Sequence, residues 1–320
     1  MRQLSRADAR LLSDLRQADE RLQRLPEAML EKDVFITEVT LEIASLADER
    51  IGVVFCGGTS LSKAHAMVER MSEDVDFKLD IRAAGLTNNQ RRQLLGDFRD
   101  RAAQKLRDLG YEIPAGNVLS RDANAYTRIV VPYVTQFSHH AAMRPDVQVE
   151  LNAASPRTPL LARKISTLVS PERLSLSRSG NVRCVDVSET AAEKLVSFTR
   201  RTAQFLAGRQ RGEFDTTLVR HLYDVYRLFT AGAVDEDLVK RLCVDIVAQD
   251  AAQFRNQHPE YLENPAAETR KALDALGRDN RFAGWYGDFV DSMIYGDERP
   301  PYRDVVTTFR RAATTALGLA

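Results

Sequence analysis

The first half of the chain carries short alternating blocks of apolar and polar residues, whereas the second half carries the wider spacing of amphipathic helices. An apolar run at 53–55 predicts a buried strand, and residues 74–77 alternate acidic with apolar side chains, which predicts a strand with one buried face. Segments 125–134 and 146–152 predict two more strands that pair as a hairpin.

Helical spacing is predicted over several other segments of this half. Two amphipathic helices are expected on either side of Pro26, a third follows the first strand, and a fourth ends at Gly110, where a left-handed cap is easily formed. These four helices are predicted at 5–25, 27–47, 61–70 and 90–109.

A stretch rich in Pro, Ser and Arg, residues 156–182, reads as a linker around a short helix at 161–168. One more strand is predicted at 182–187, and the domain boundary is expected near residue 185. From Ser188 onward helices dominate, beginning with a helix over 189–206 that Ser188 caps.

The fold class is therefore α/β: a mixed sheet with flanking helices in a domain at 1–185, followed by a mainly helical C-terminal domain at 186–320. A length of 320 residues with 44% hydrophobic content is enough for two cores. The chain lacks a run of 18 apolar residues and a signal-peptide core, so we expect a cytoplasmic protein with no membrane partner. Its three cysteines are widely spaced, which is typical of reduced core residues and not of a zinc site.

Net charge is zero, but the charge is unevenly distributed. Residues 156–211 hold eleven Lys or Arg against four Asp or Glu, and residues 235–298 hold seven against fourteen. The basic block could attract a polyanion such as tRNA through its phosphates. A solvated face of an ordinary domain would have the same composition, and both interpretations stay open.

The chemistry centres on a Gly57-Gly58-Thr59-Ser60 turn that is followed, fourteen residues after the serine, by Asp74-Val75-Asp76. Glycines let backbone N–H groups turn toward an anion, and hydroxyls at a helix start favour phosphate. Two aspartates on one face of a strand supply oxygen ligands for Mg²⁺, which binds one or two carboxylates together with substrate phosphates. Either feature is weak by itself, whereas their combination in this order predicts nucleotidyl transfer.

Five sequence motifs carry a resemblance to a known family. They are the turn with its two aspartates, the string Arg70, Ser72, Asp74 and Asp76, the helical segments Glu193-Lys194-Leu195 and Tyr223-Asp224-Val225-Tyr226-Arg227-Leu228, and the segment Leu30-Glu31-Lys32-Asp33-Val34-Phe35. Together they resemble the nucleotidyltransferase superfamily and, more closely, the AbiEii/AbiGii toxins that include the mycobacterial MenT proteins. The matches span about residues 30–230, Val225 replaces the usual leucine, and the last 90 or so residues carry no recognised motif.

The resemblance implies a nucleotidyltransferase-like fold and a set of site residues. Asp74 and Asp76 would bind Mg²⁺, and Glu150, on the strand at 146–152, would be a third acid, with Asp146 as the alternative. Lys194 would reach the phosphates with Arg201, seven residues on along the same helix face, or Arg200 beside it. Asp224 would help to organise the site, for example by fixing Lys194. The nucleotide would contact Gly57, Gly58, Thr59, Ser60, Lys63, Ser72 and Arg201.

Each of these residues also has an ordinary structural interpretation. Glu150 could be a solvent-facing glutamate, Lys194 an exposed lysine paired with a glutamate, and Asp224 the partner of Arg220 in an intrahelical ion pair. His221 could be a core residue or an RNA contact.

We therefore expect a Mg²⁺-dependent nucleotidyltransferase toxin that transfers an NMP from an NTP to an acceptor such as the tRNA 3′ end, and that a cognate antitoxin restrains. One alternative is a small-molecule nucleotidyltransferase of the aminoglycoside type. Another is a non-catalytic module that binds nucleotide or RNA. The sequence does not distinguish the NTP used, the acceptor or the oligomeric state.

Overall fold

The computed structural model describes residues 1–138, 143–169, 173–210 and 212–319. The chain forms two compact units, Met1–Val185 and Asp186–Ala320. That each unit is a domain able to fold by itself stays a prediction.

The first unit is built on a mixed sheet of seven strands in the described part of the chain, in the order β3-β4-β5-β2-β1-β7-β6. The strands are β1 (Ile51–Cys56), β2 (Asp74–Ile81), β3 (Val118–Arg121), β4 (Tyr126–Pro132), β5 (Asp146–Asn152), β6 (Leu161–Ser166) and β7 (Ser179–Cys184). β2 pairs parallel with β5, and β1 pairs parallel with β7. The other neighbours are antiparallel, including the β4–β5 pair that the sequence predicts.

Alternation along β4 and β5, and at the start of β2, gives this part of the sheet one apolar and one polar face. Phe55 on β1 lies opposite Phe77 on β2, which is in register with Leu151 on β5, and all three are buried. The next residues along the strands point the other way, because successive side chains of a strand face opposite sides. The acidic residues of β2 therefore share the polar face.

Five helices complete this unit in the described residues: α1 (Arg6–Ala18), α2 (Glu20–Gln23), α3 (Glu27–Ala44), α4 (Gly57–Lys63) and α5 (Asn88–Asp108). α3 contacts β1, β2, β5 and β7, and it is buried on nearly every side, including its charged residues Glu31, Lys32 and Asp33. α5 begins with a capping box at Thr87 and ends before Gly110, whose φ of +92° is the expected left-handed cap.

Several predicted elements were wrong in their bounds or type. The helix predicted at 61–70 begins earlier and ends at Lys63. Residues 64–73 follow without a helix or strand, and Ala66 in this segment has a φ of +52°. The helix predicted at 5–25 is divided where Asp19 caps α2. The helix predicted at 161–168 is instead the edge strand β6, because pairing with β7 satisfies its backbone. β3 was not predicted, and β7 begins and ends three residues earlier than expected.

The second unit is helical throughout the described residues. Its helices are α6 (Val187–Leu206), α7 (Arg220–Thr230), α8 (Glu236–Gln253), α9 (Pro259–Glu263), α10 (Pro265–Arg278), α11 (Asn280–Met293) and α12 (Tyr302–Ala316). Asp186 caps α6, whereas Ser188, the predicted cap, accepts a hydrogen bond from the Asp235 N–H at 3.1 Å. No helix in the described ranges has the length and apolar character needed to cross a membrane.

Candidate active site

The glycine bend and the second aspartate of β2 are in direct contact. Gly57 has a φ of +74°, which side-chain-bearing residues rarely adopt, and a Cβ at this position would lie 2.1 Å from Asp76 Oδ2. Only a glycine lets the backbone come so close to that carboxylate. The bend and Asp76 thus form one surface.

The remainder of the bend is tied to the segment that leads into β2. The Thr59 hydroxyl donates to the carbonyl oxygen of Asp74. A Cβ on Gly58 would lie 2.4 Å from a guanidinium nitrogen of buried Arg70 and 3.4 Å from Ser72 Oγ. The Arg70 guanidinium therefore lies next to the bend and contributes a positive potential there, which favours an anion.

Ser60 is fully buried, and its hydroxyl finds no hydrogen-bond partner in the part of the chain that the structure describes. Buried hydroxyls are normally satisfied by protein, water or ligand. A contact of this hydroxyl with the nucleotide stays a prediction.

A polar row crosses the sheet at Asp76. In register, Asp76 on β2 lies beside Glu150 on β5, which lies beside Arg128 on β4, so the three side chains share a face. Tyr126 donates a hydrogen bond to Glu150, and burial together with that carboxylate raises the pKa of the Tyr126 phenol. Asp146, the alternative third acid, lies at the start of β5, in register with Pro132. Register thus places Glu150, and not Asp146, beside Asp76.

The other aspartate of the pair, Asp74, forms an ion pair with Arg144, which precedes β5 in the chain. The Arg144 side chain is 38% exposed and that of Asp74 is 15% exposed. Burial acts to lower the pKa of Arg144, but the charges of Asp74 and Glu73 outweigh it and raise the pKa above its ordinary value. The guanidinium therefore stays charged and neutralises one of the aligned carboxylates.

Arg144 is held by a buried ion pair between Lys32 of α3 and Glu73. The Lys32 ammonium donates to the Arg144 carbonyl oxygen at 2.8 Å, and Glu73 accepts the Arg144 backbone N–H at 2.7 Å. Burial lowers the pKa of Lys32, and Glu73 opposes that effect. The main chain of Arg144 is thus held by hydrogen bonds at both its N–H and its carbonyl group.

The two neighbours of Lys32 on α3 anchor other segments of the same unit. Glu31 accepts the Gln136 N–H at 2.9 Å, and burial raises the pKa of this glutamate. Asp33 forms an ion pair with Lys63 at 2.5 Å, and both side chains are buried. Lys63, expected at the nucleotide, thus connects α4 with α3, and it also donates to the Ser166 carbonyl at 3.1 Å.

Lys194 and Asp224 lie in the second unit and bind each other. The ammonium on α6 and the carboxylate on α7 are 2.8 Å apart, with the lysine side chain 7% and the aspartate 0% exposed. Arg201, two turns farther along α6, forms an ion pair with Asp215 at 2.9 Å. The sequence left open that Lys194 is an exposed lysine paired with a glutamate and that Asp224 pairs with Arg220 on its own helix. Neither interpretation describes this buried contact between Lys194 and Asp224. A nucleotide-site role for these residues stays a prediction.

The Asp74 and Asp76 carboxylates are suitable ligands for a divalent cation, but Arg144 is bound to one of them. No three His, Cys, Asp or Glu side chains gather into a metal site within the described ranges. Mg²⁺ needs only one or two carboxylates when phosphates supply the other ligands, and the Asp74 and Asp76 carboxylates are of that kind. The Arg144 guanidinium, however, is already bound to Asp74.

Sequence reasoning missed two arginines of this polar face and left a third without a role. Arg70 belongs to the motif string, and its short distance in sequence from the glycines could have suggested that its positive charge lies near the bend. Arg128 and Arg144 are 52 and 68 residues away from Asp76 in the chain and belong to no motif. Strand register brings Arg128 beside Glu150, and the Lys32–Glu73 pair holds Arg144 next to Asp74.

Comparison with known proteins identifies one family. A model of the nucleotidyl transferase AbiEii toxin family, of type IV toxin–antitoxin systems, matches residues 40–308. Comparison with curated proteins gave no match. Among solved structures, MenT4, a nucleotidyltransferase toxin of Mycobacterium tuberculosis, is similar over 97% of this chain and 98% of its own, with 17% identity and a TM-score of 0.47. The family match covers most of the chain and contains the bend and both aspartates.

Proposed function

This chain belongs to the AbiEii family of nucleotidyltransferase toxins of type IV toxin–antitoxin systems, and from that premise we propose that it transfers an NMP from an NTP to the 3′ end of a tRNA. Such a transfer would block aminoacylation and stop translation in the cytoplasm until an antitoxin counters it. The alternative of a non-catalytic module does not fit this family, whose members are nucleotidyltransferases.

The observation that carries the proposal is the contact of Gly57 with Asp76, combined with the in-register position of Glu150. It supports a cleft in which a bend that favours phosphate and two carboxylates meet. Nucleotidyl transfer requires this combination, because phosphates must be held while an oxygen attacks the neighbouring phosphorus.

In the proposed reaction, the bend at Gly57 and Gly58, with Ser60 and Ser72, holds the β and γ phosphates. Asp74 and Asp76 hold Mg²⁺, which, when bound, neutralises phosphate charge and stabilises the oxygens that attack and leave. Glu150 accepts the proton of the attacking ribose hydroxyl, a task that requires a base within hydrogen-bond reach. The ribose oxygen forms its bond to the α-phosphorus while the bond to the β-phosphate oxygen breaks, and pyrophosphate leaves.

Lys194 is proposed to contact the nucleotide phosphates, with Asp224 fixing its ammonium and Arg201 nearby on α6. The contact of Lys194 with Asp224 supports that division of roles, since the buried carboxylate holds the ammonium in one position. Lys63 and Thr59 are proposed to act on the nucleotide through the shape of the bend, because their polar atoms already bind Asp33 and the Asp74 carbonyl.

The test compares Asp76→Asn with Asp80→Asn. Asp80 is on the same strand and face, four residues or about 13 Å farther along, so the second variant removes a charge without touching the bend. Purified proteins are incubated with each of four labelled NTPs, Mg²⁺ and bulk tRNA, and labelled RNA is resolved by size. We expect Asp76→Asn to abolish incorporation and Asp80→Asn to retain it.

Parallel incubations with aminoglycosides in place of tRNA separate the RNA acceptor from the small-molecule alternative. Label in the tRNA alone supports the proposal, whereas label in the aminoglycoside alone would replace it. Retained incorporation by Asp76→Asn would reject the assignment of the aspartates.

A further inference from the structure

Arg144 combines a fixed main chain with a side chain that is partly exposed. Its N–H and carbonyl groups are bound by the buried Glu73 and Lys32. Its side chain extends to Asp74 with 38% of its surface open to solvent. The residue is therefore anchored at its base while its guanidinium is able to change partners.

Arg144 forms its ion pair with Asp74, one of the two carboxylates that a divalent cation would use. A cation bound to Asp74 and the Arg144 guanidinium would repel each other if both stayed on that carboxylate. Each incoming nucleotide, however, brings several negative oxygens to the same face. A guanidinium matches phosphate oxygens with two parallel hydrogen bonds and keeps its charge at any physiological pH.

We propose that Arg144 is a phosphate-binding residue that neutralises Asp74 in the nucleotide-free enzyme and passes to the phosphates of the nucleotide when a divalent cation takes Asp74. The inference rests on the proposed function. It explains why Asp74, one of the two aligned aspartates, forms an ion pair with Arg144. It also gives the buried Lys32–Glu73 pair of α3 a task, which is to hold the base of Arg144 while its side chain moves.

The experiment uses Arg144→Gln, Arg144→Lys and the control Arg101→Gln. Arg101 also forms an ion pair with an aspartate of the first unit, Asp48, at 2.8 Å, but on α5 and outside the cleft. Mn²⁺ serves as a paramagnetic probe for the metal and is titrated into the full-length protein without nucleotide. Pyrophosphate is then titrated calorimetrically in the presence of Mg²⁺, and thermal unfolding is recorded for each variant.

The proposal predicts opposite changes in the two affinities. Removing the competing guanidinium should tighten Mn²⁺ binding to Arg144→Gln by about threefold or more, because Asp74 is released. The same variant should bind magnesium pyrophosphate about tenfold more weakly, because a charge-assisted hydrogen bond is lost. Arg144→Lys should recover part of the pyrophosphate affinity, and Arg101→Gln should match the wild type in both titrations.

A purely structural role for Arg144 would weaken both affinities and lower the unfolding temperature, and that result would overturn the inference. Unchanged or weaker Mn²⁺ binding by a folded Arg144→Gln protein would overturn it as well. If those results are obtained while the wild type binds Mn²⁺ and transfers nucleotide in the incorporation assay described above, only the role of Arg144 has failed. If the wild type does neither, the proposed function itself fails.

Discussion

Replacing Gly57 with alanine tests whether the contact between the bend and Asp76 controls the chemistry. Gly57 has a φ of +74°, and the added Cβ would lie 2.1 Å from one Asp76 carboxylate oxygen and 2.8 Å from its carboxylate carbon. Gly85→Ala is the matched control, because Gly85 has a φ of +69° with no atom within 4 Å of its Cβ position. Both variants carry the same backbone strain, and only Gly57→Ala pushes on the aspartate.

The expected magnitudes follow from this geometry. A side-chain-bearing residue in the left-handed region costs roughly 1–2 kcal/mol, and both variants should lose about that much free energy of unfolding. Moving the carboxylate from 2.1 Å to the 3.4 Å of ordinary contact requires a shift of about 1.3 Å in Gly57→Ala. A misplacement of about 1 Å in a catalytic group can cost about 100-fold in rate.

The assay is nucleotide incorporation from labelled NTP, expressed as kcat/KM, combined with urea unfolding of both variants. We expect Gly57→Ala to lose about 100-fold or more in kcat/KM and Gly85→Ala to remain near the wild type. If the two variants stay folded and have equal activities, the carboxylate of Asp76 does not need its position against the bend, and the reasoning is refuted.

Three stability predictions follow from the buried polar contacts. Asp224→Asn leaves the Lys194 ammonium buried without its counter-charge. It should lower the free energy of unfolding by about 3 kcal/mol or more in urea titrations. A loss below about 1 kcal/mol would show that the pair is not buried in solution. Lys32→Met should lower the free energy of unfolding by a similar amount, because the Glu73 carboxylate loses its lysine partner. The double variant Lys32→Met with Glu73→Leu should recover part of that loss in the same titration. A further, additive loss in the double variant would contradict the pairing. Thr87→Ala removes the cap of α5 and should shift the urea midpoint by an amount equivalent to about 1 kcal/mol; an unchanged midpoint would argue against the capping box.

Local patterns in the chain were enough to predict much of the sheet and the core of the candidate site. Period-two alternation marks β2 and β5, because a strand that buries one face must alternate. Paired glycines at the start of a short helix mark the bend, since few other residues tolerate the backbone angles of Gly57. The same local logic failed at β6, where only Ile165 is fully buried and no alternation is visible.

The relation between Lys194 and Asp224 shows where local reasoning reaches its limit. Each residue lies on a helix that the sequence predicts, and the family resemblance suggested that one could fix the other. Periodicity alone placed Asp224 on a face with Arg220, whereas the structure buries it against α6. Helix packing, and not helix periodicity, decides which buried charges meet.

By itself, the sequence determined the features whose signals are contained in a few neighbouring residues: the bend, the Asp74–Asp76 pair, the first helix of the second unit and the mainly helical character of that unit. Tertiary structure alone decided that Glu150 lies beside Asp76, that Arg144 neutralises Asp74, and that Lys63 binds Asp33. The physical reason is that alternation and capping depend on local backbone geometry. Strand register and the pairing of buried charges depend instead on contacts between residues that are dozens of positions apart in the chain.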